Sequence, residues 1–261
     1  GAAILVVIGI VFCAALIPVS LAREGNPPVS DARGVNYLAI WAISPVAAVG
    51  CLTIGLTNGA FRTVGPVYAE GVGLDADGLA LLISLWVIAG AVFQYPLGWA
   101  SDRTDRRYVL ILATAGAGLS CLFLSGVSLQ AAIFLGAFLF GGFALPLYSL
   151  SAAHANDHAG PGQHVELAAG LTMFFAIGAV IGPLLASAVM DMFGPSAFFL
   201  YTGGLHLSFV AFVGARLLTR DAVPAEHRKR FVWLLRNSPA IYRMAGGQKA
   251  ARPEKDKPEA D

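Results

Sequence analysis

The sequence predicts an all-α membrane protein, a polytopic helical bundle, and three observations lead there. Of the 261 residues, 57% are hydrophobic and 13% charged, against roughly 25% charged in an ordinary soluble domain. The apolar residues gather into long blocks free of Lys, Asp and Glu. A bilayer demands this, because each spanning backbone must satisfy its own polar groups within a helix. Thirty glycines complete the pattern, since helices in lipid pack through small residues.

Seven spans can be drawn at the length of about 20 residues that a hydrocarbon core of about 30 Å requires. The first is Ala2 to Ala22. A Pro-, Gly- and charge-rich linker over 23–36 follows, as loop punctuation rather than helix. The second span, Tyr37 to Ala69, is long enough to need a kink, which Pro45 or the Gly65-Pro66 pair can supply. The remaining five are Gly78 to Ala100, Tyr108 to Val127, Leu129 to Ala153, Leu167 to Met190 and Pro195 to Leu218, with a tail over 219–261. Residues 37–218 thus form a six-helix bundle, preceded by the single helix of residues 1–22.

Charge and cysteines exclude several classes. The formal net charge is +1 and the basic residues lie at loop ends and in the tail, so no basic stripe marks a nucleic-acid groove and no nucleic-acid partner is expected. Cys13, Cys51 and Cys121 each stand inside an apolar block, as small packing residues rather than a disulfide framework or metal ribbon. No cofactor is expected. The segment His154-Ala-Asn-Asp157-His158 spaces two histidines four apart. That is a metal-site spacing on a helix, but without a preceding His-Glu pair, and a polar cytoplasmic loop from His154 to His164 is the better reading.

Lys and Arg fix the orientation, because they accumulate on the cytoplasmic side of a membrane protein. Arg23 and Arg33, then Arg103, Arg106 and Arg107, then the loop of 154–164, then every basic residue from Arg216 onward fall on one side. Glu70, Asp75, Asp77 and Asp191 fall on the other, with no basic residue. The tail is therefore expected in the cytoplasm of a multi-pass protein of the bacterial inner membrane. The chain opens with Gly1 inside an apolar block that no basic segment precedes, so a signal peptide fits poorly and a truncated chain fits better.

The connection between the third and fourth spans reads Gly98-Trp-Ala-Ser-Asp102-Arg103-Thr-Asp105-Arg106-Arg107. It resembles the signature loop of the major facilitator superfamily, Gly-x-x-x-Asp-Arg-x-Gly-Arg-Arg/Lys, which joins the second and third helices of each half of those transporters. Phe93-Gln94-Tyr-Pro96-Leu-Gly98, Gly178-Ala-Val-Ile-Gly182-Pro183, Asn58-Gly-Ala-Phe-Arg62-Thr-Val-Gly65-Pro66-Val-Tyr68 and Ala144-Leu-Pro146-Leu-Tyr148 are similar to the YcaD-like branch of bacterial members. The resemblance implies the sixth to twelfth helices of a twelve-helix transporter whose partner is a missing N-terminal half-bundle. It departs at Asp105, where the family has Gly, so the turn cannot rely on glycine's positive φ.

Candidate roles follow. Gly98 permits a close helix approach, Asp102 can face a helix end, and Arg103, Arg106 and Arg107 can grip carbonyls or carboxylates. With the resemblance, these five form an expected conformational latch; alone, the arginines would read as topology signals. Gly178, Gly182 and Pro183 are expected to pack helices. Ionisable groups inside a span are functional candidates by default. Arg62 lies four residues after Asn58 on one face of the second span, with Gly55 and Gly65 on the same stripe. If the span's midpoint is near Gly55, Arg62 stands roughly 10 Å toward the outside. It either lines a cavity or snorkels to the interface. Gln94, Tyr148 and Ser149 join Asn58 and Arg62 as substrate-cavity candidates, each able to bond a substrate or only a neighbouring helix. His206, near the centre of the last span, reads as a packed histidine rather than a proton relay.

The resemblance implies transport of a small-molecule substrate across the lipid bilayer by alternating access, with no covalent chemistry. Two other classes stay open. A membrane hydrolase would use the histidines of 154–164 with Asp157. A scaffold or sensor would use the tail, where Arg228-Lys-Arg230 and Phe231-Val-Trp-Leu-Leu suit an anionic leaflet.

Overall fold

The computed structural model describes residues 2–21, 37–160 and 162–219. The expected linker of 23–36 and the tail beyond residue 219 lie outside the described residues. The chain divides into two units, Gly1–Gly34 and Val35–Asp261. The first carries one helix, α1 (Ala2–Leu21), apolar along its whole length.

The second unit is wholly helical among its described residues: α2 (Tyr37–Ile43), α3 (Pro45–Gly71), α4 (Ala76–Arg103), α5 (Arg106–Gly126), α6 (Gln130–Ala144), α7 (Leu147–His158), α8 (His164–Phe193) and α9 (Ala197–Thr219). Five segments of 21 to 30 residues are long and apolar enough to cross a membrane, with α6 and α7 counted as one, and α2 with α3 adds a sixth as a bent pair.

That bent pair breaks the expected second span at Pro45, one of the two places expected, and by more than a kink. The chain turns by 114° between α2 and α3, far beyond the kink a proline makes inside a helix. Ser44 takes an extended conformation and its Oγ accepts from the Ala47 N–H at 3.2 Å. Pro45 then occupies the first helical position, where its missing N–H costs nothing. Pro66 does not interrupt α3. The expected 154–164 loop is also corrected. His154 through Asp157 to His158 remain helical as the end of α7, because no Gly or Pro stops the helix before Gly160.

Packing runs through small residues. α3 lies along α8, and at Gly55, Gly59, Gly178 and Gly182 an added Cβ would collide with the backbone of the facing helix. α4 packs on α6 in the same manner at Gly141, against the backbone of Trp86, and α5 lies between α6 and α9. The interior near the α3–α4 turn is aromatic. The Phe61 ring centroid stands 4.8 Å from Trp86, 5.6 Å from Phe140 and 6.2 Å from Phe198. Large apolar side chains such as Val87, Val92, Val180 and Leu184 point outward, as lipid-facing or bundle-facing positions do.

Candidate functional site: an arginine knot and two polar levels

The α4–α5 turn is built without a positive φ. Asp105 sits at φ −65° and ψ 121°, and caps α5 by accepting from the Arg107 N–H at 3.0 Å. The same carboxylate holds the Arg107 guanidinium at 2.7 Å. A side chain that caps a helix start therefore stands where the family pattern has glycine.

Arg106 is the centre of the turn. It is 2% exposed, its Nε donates to Asp157 Oδ2 at 2.6 Å, its Nη1 to Ser101 Oγ at 3.0 Å, and its Nη2 stands 3.5 Å from Asp102. Asp157 is itself buried. One guanidinium thus ties the end of α4, the start of α5 and the end of α7 into a knot. A planar fork of five donors suits such a junction, where an ammonium would serve fewer partners. Arg103 behaves differently: it is exposed, with its guanidinium 4.0 Å over the Trp99 ring. Gly98 is buried in the last turns of α4.

The five cavity candidates fall on two levels. Gln94 Nε2 donates to Ser149 Oγ at 2.9 Å, a buried bond between α4 and α7. The Tyr148 and Thr172 hydroxyls meet at 3.1 Å and join α7 to α8. The second level includes Arg62 and Trp86, which precedes Gln94 by eight residues on α4, about 12 Å along the helix. The exposed Arg62 guanidinium stands 5.6 Å over the Trp86 ring. Asn58 is buried, and neither its Oδ1 nor the Trp86 Nε1 has a hydrogen-bond partner among the described residues. Asn58 and Arg62 share a stripe but not an environment.

Gly178 and Gly182 lie against Leu52, Gly55 and Leu56 of α3, while Pro183 sits inside the unbroken α8. His206 is fully buried beside Phe140. His158 Nδ1 meets the His154 carbonyl at 2.9 Å. Among the described residues no three His, Cys, Asp or Glu side chains converge as metal ligands.

Sequence reasoning missed two partners. Asp157 belongs to the Arg106 knot, and Thr172 pairs with Tyr148. Asp157 is a charge at the edge of a span, the available signal, but nothing local links it to a residue 51 positions earlier.

A bundle of spanning-length apolar helices packed through glycines, with a buried arginine knot at one end, is that of a polytopic membrane protein. The profile of the Major Facilitator Superfamily matches residues 47–249, and the chain belongs to that superfamily. Among its relatives, "Uncharacterized MFS-type transporter YfkF" of Bacillus subtilis strain 168 is 30% identical over 61% of this chain and 40% of its own length. "Uncharacterized MFS-type transporter Ent638_1421" of Enterobacter sp. strain 638 is 27% identical over 66% of this chain and 43% of its own. "Uncharacterized MFS-type transporter YcaD" of Escherichia coli O7:K1 is 22% identical over 80% and 53%. The chain spans about half the length of the curated relatives it matches.

Proposed function

We propose that this chain is the C-terminal half of a secondary transporter, active or facilitative, that moves a small solute across a bacterial inner membrane by alternating access. Its arginine-bearing end faces the cytoplasm. Residues 37–218 act as one of two bundles, and the other packs on the apolar faces of α4 and α8. Those helices support the assignment, because only 28% and 22% of their most apolar windows are buried within the unit. The solute lies against Asn58, Arg62, Gln94, Tyr148 and Ser149, and no bond of the solute is made or broken.

The Arg106 knot carries the mechanism. It joins three helix ends through buried charges, and such a junction has discrete made and broken states rather than a continuum. The made state holds the cytoplasmic ends of α4, α5 and α7 together. The test is Asp102→Asn in the full-length protein, with insertion measured beside cysteine accessibility at Ser149 from the cytoplasmic side. Near-normal insertion with altered accessibility is expected; wild-type accessibility would reduce the loop to a topology signal.

A further inference from the structure

A second charged cluster stands beside the knot. The start of α3, the first turn of α5 and the last turns of α7 and α9 close around a small pocket lined by Ser44, Pro45, Val46, Arg107, His154, His158 and Arg216. Its enclosed part, about 10 Å³, has room for one group the size of a water or a single oxygen.

Hydrogen-bond donors on this lining lack acceptors. In the first turn of the 27-residue α3, Pro45 has no N–H and the Ala47 and Ala48 N–H groups donate to Ser44, which leaves the Val46 N–H as that turn's remaining donor at the positive end of the helix. Ser44 Oγ is already taken by Ala47. His154 is 7% exposed and its ring makes no hydrogen bond among the described residues. Arg216 Nε is shut off from solvent and has no partner among the described residues.

The nearby carboxylates are committed elsewhere. Asp105 holds Arg107 at 2.7 Å, and Asp102 and Asp157 hold Arg106. His158 donates its Nδ1–H to the His154 carbonyl, because a carbonyl only accepts. Arg216 therefore brings a cation that no carboxylate among the described residues matches. A buried donor set of this kind asks for an anion.

We propose that this pocket binds an anionic oxygen of a phosphate group, supplied by a phospholipid headgroup or by inorganic phosphate. The donors are Arg216 Nε, the His154 ring and the Val46 N–H. The bound group ties α3, α7 and α9 at the end where Arg106 ties α4, α5 and α7. The ends of spanning helices lie at the depth of headgroup phosphates, and a guanidinium fork beside a helix N-terminus matches their oxygens.

Native mass spectrometry of the full-length protein in non-ionic detergent tests this, with dioleoylphosphatidylglycerol, dioleoylglycerol and inorganic phosphate as probes. One phosphatidylglycerol is expected to bind with an affinity that Arg216→Gln lowers at least tenfold and His154→Phe lowers severalfold. Arg103→Gln, at an exposed arginine of the same end, is expected to leave it unchanged, and dioleoylglycerol is expected not to occupy the site. Displacement of the lipid by inorganic phosphate, lost in Arg216→Gln, assigns the free ion as a ligand too. Binding of neither phosphate probe, or equal binding by wild type and a folded His154→Phe protein, overturns the proposal. Arg216 closes α9, so His154→Phe keeps the test decisive where Arg216→Gln fails to insert. The readout is occupancy, and it stands or falls apart from transport.

Discussion

Arg106 and Arg62 show how one residue type serves opposite ends of a membrane helix bundle. Arg106 is buried and held by two carboxylates and a hydroxyl; Arg62 is exposed and, among the described residues, held by the face of Trp86. Removing one partner of a buried pair leaves an uncompensated charge, at a cost on the order of 3 kcal/mol. Asp157→Asn is therefore expected to lower the melting temperature of the full-length protein in detergent by several degrees. Asp102→Asn is expected to lower it less, since Asp102 is a quarter exposed and stands at 3.5 Å. The reverse order would show that Asp102 is the main counter-ion. The Asp102–Arg106 part of this knot was legible because it is local, four residues across one turn. Asp157 and the Gln94–Ser149 bond were not, because pairings across 51 and 55 residues depend on which helices become neighbours. For Arg62, the proposed contact is with a solute, and it depends on a planar fork. Arg62→Lys is expected to impair transport substantially and Arg62→Ala further, with insertion unaffected. Equal transport by wild type and the Lys variant would reject the fork-specific role.

The helices themselves were readable from apolar length, and the break at Pro45 was one of two places the sequence offered, but its size was not readable. Four prolines within the apolar blocks illustrate the reason. Pro66, Pro96 and Pro183 lie inside continuous helices, whereas Pro45 begins one after a 114° turn. Each presents the same missing N–H and fixed φ, so the outcome rests on neighbours, here the capping hydroxyl of Ser44. The 154–158 segment was misjudged because its polar residues suggested a loop, yet they lie at a helix end that the Arg106 knot anchors. Glycine spacing carries more information. At Gly178 and Gly182 a Cβ would meet the backbone of α3, which cannot swing aside as a side chain can. Overpacking of this kind typically costs about 1–3 kcal/mol. Gly182→Val is expected to lower the yield of folded protein and its melting temperature. Gly204→Ala, where nothing lies within 4 Å, is expected to leave both within error of wild type. Equal behaviour of the two variants would mean that α3 and α8 do not pack closely in the bilayer.

At the scale of the whole molecule, one physical bias orders everything described. Arg106, Arg107 and Arg216 meet at one end of the second unit, around the knot and the pocket, while Glu70 and Asp75 line an opening of about 290 Å³ at the other end of α3 and α4. Cationic side chains resist transfer across the membrane during insertion, so the end that carries them is expected to remain in the cytoplasm. The turn between α3 and α4 is then outside, and so is the turn after Asp191. On the proposed transport reading this assignment also decides what the knot would do, because a junction on the cytoplasmic side would close the inward mouth of a cavity and one on the outer side the outward mouth. Single cysteines placed in the full-length protein, in a background without Cys13, Cys51 and Cys121, test it directly. A cysteine at Gly73 is expected to react with a membrane-impermeant maleimide in intact cells. One near the chain's end, at Ala260, is expected to react only after the membrane is opened. Labelling of the Ala260 position in intact cells would invert the topology, and with it the mouth that Arg106 is proposed to close.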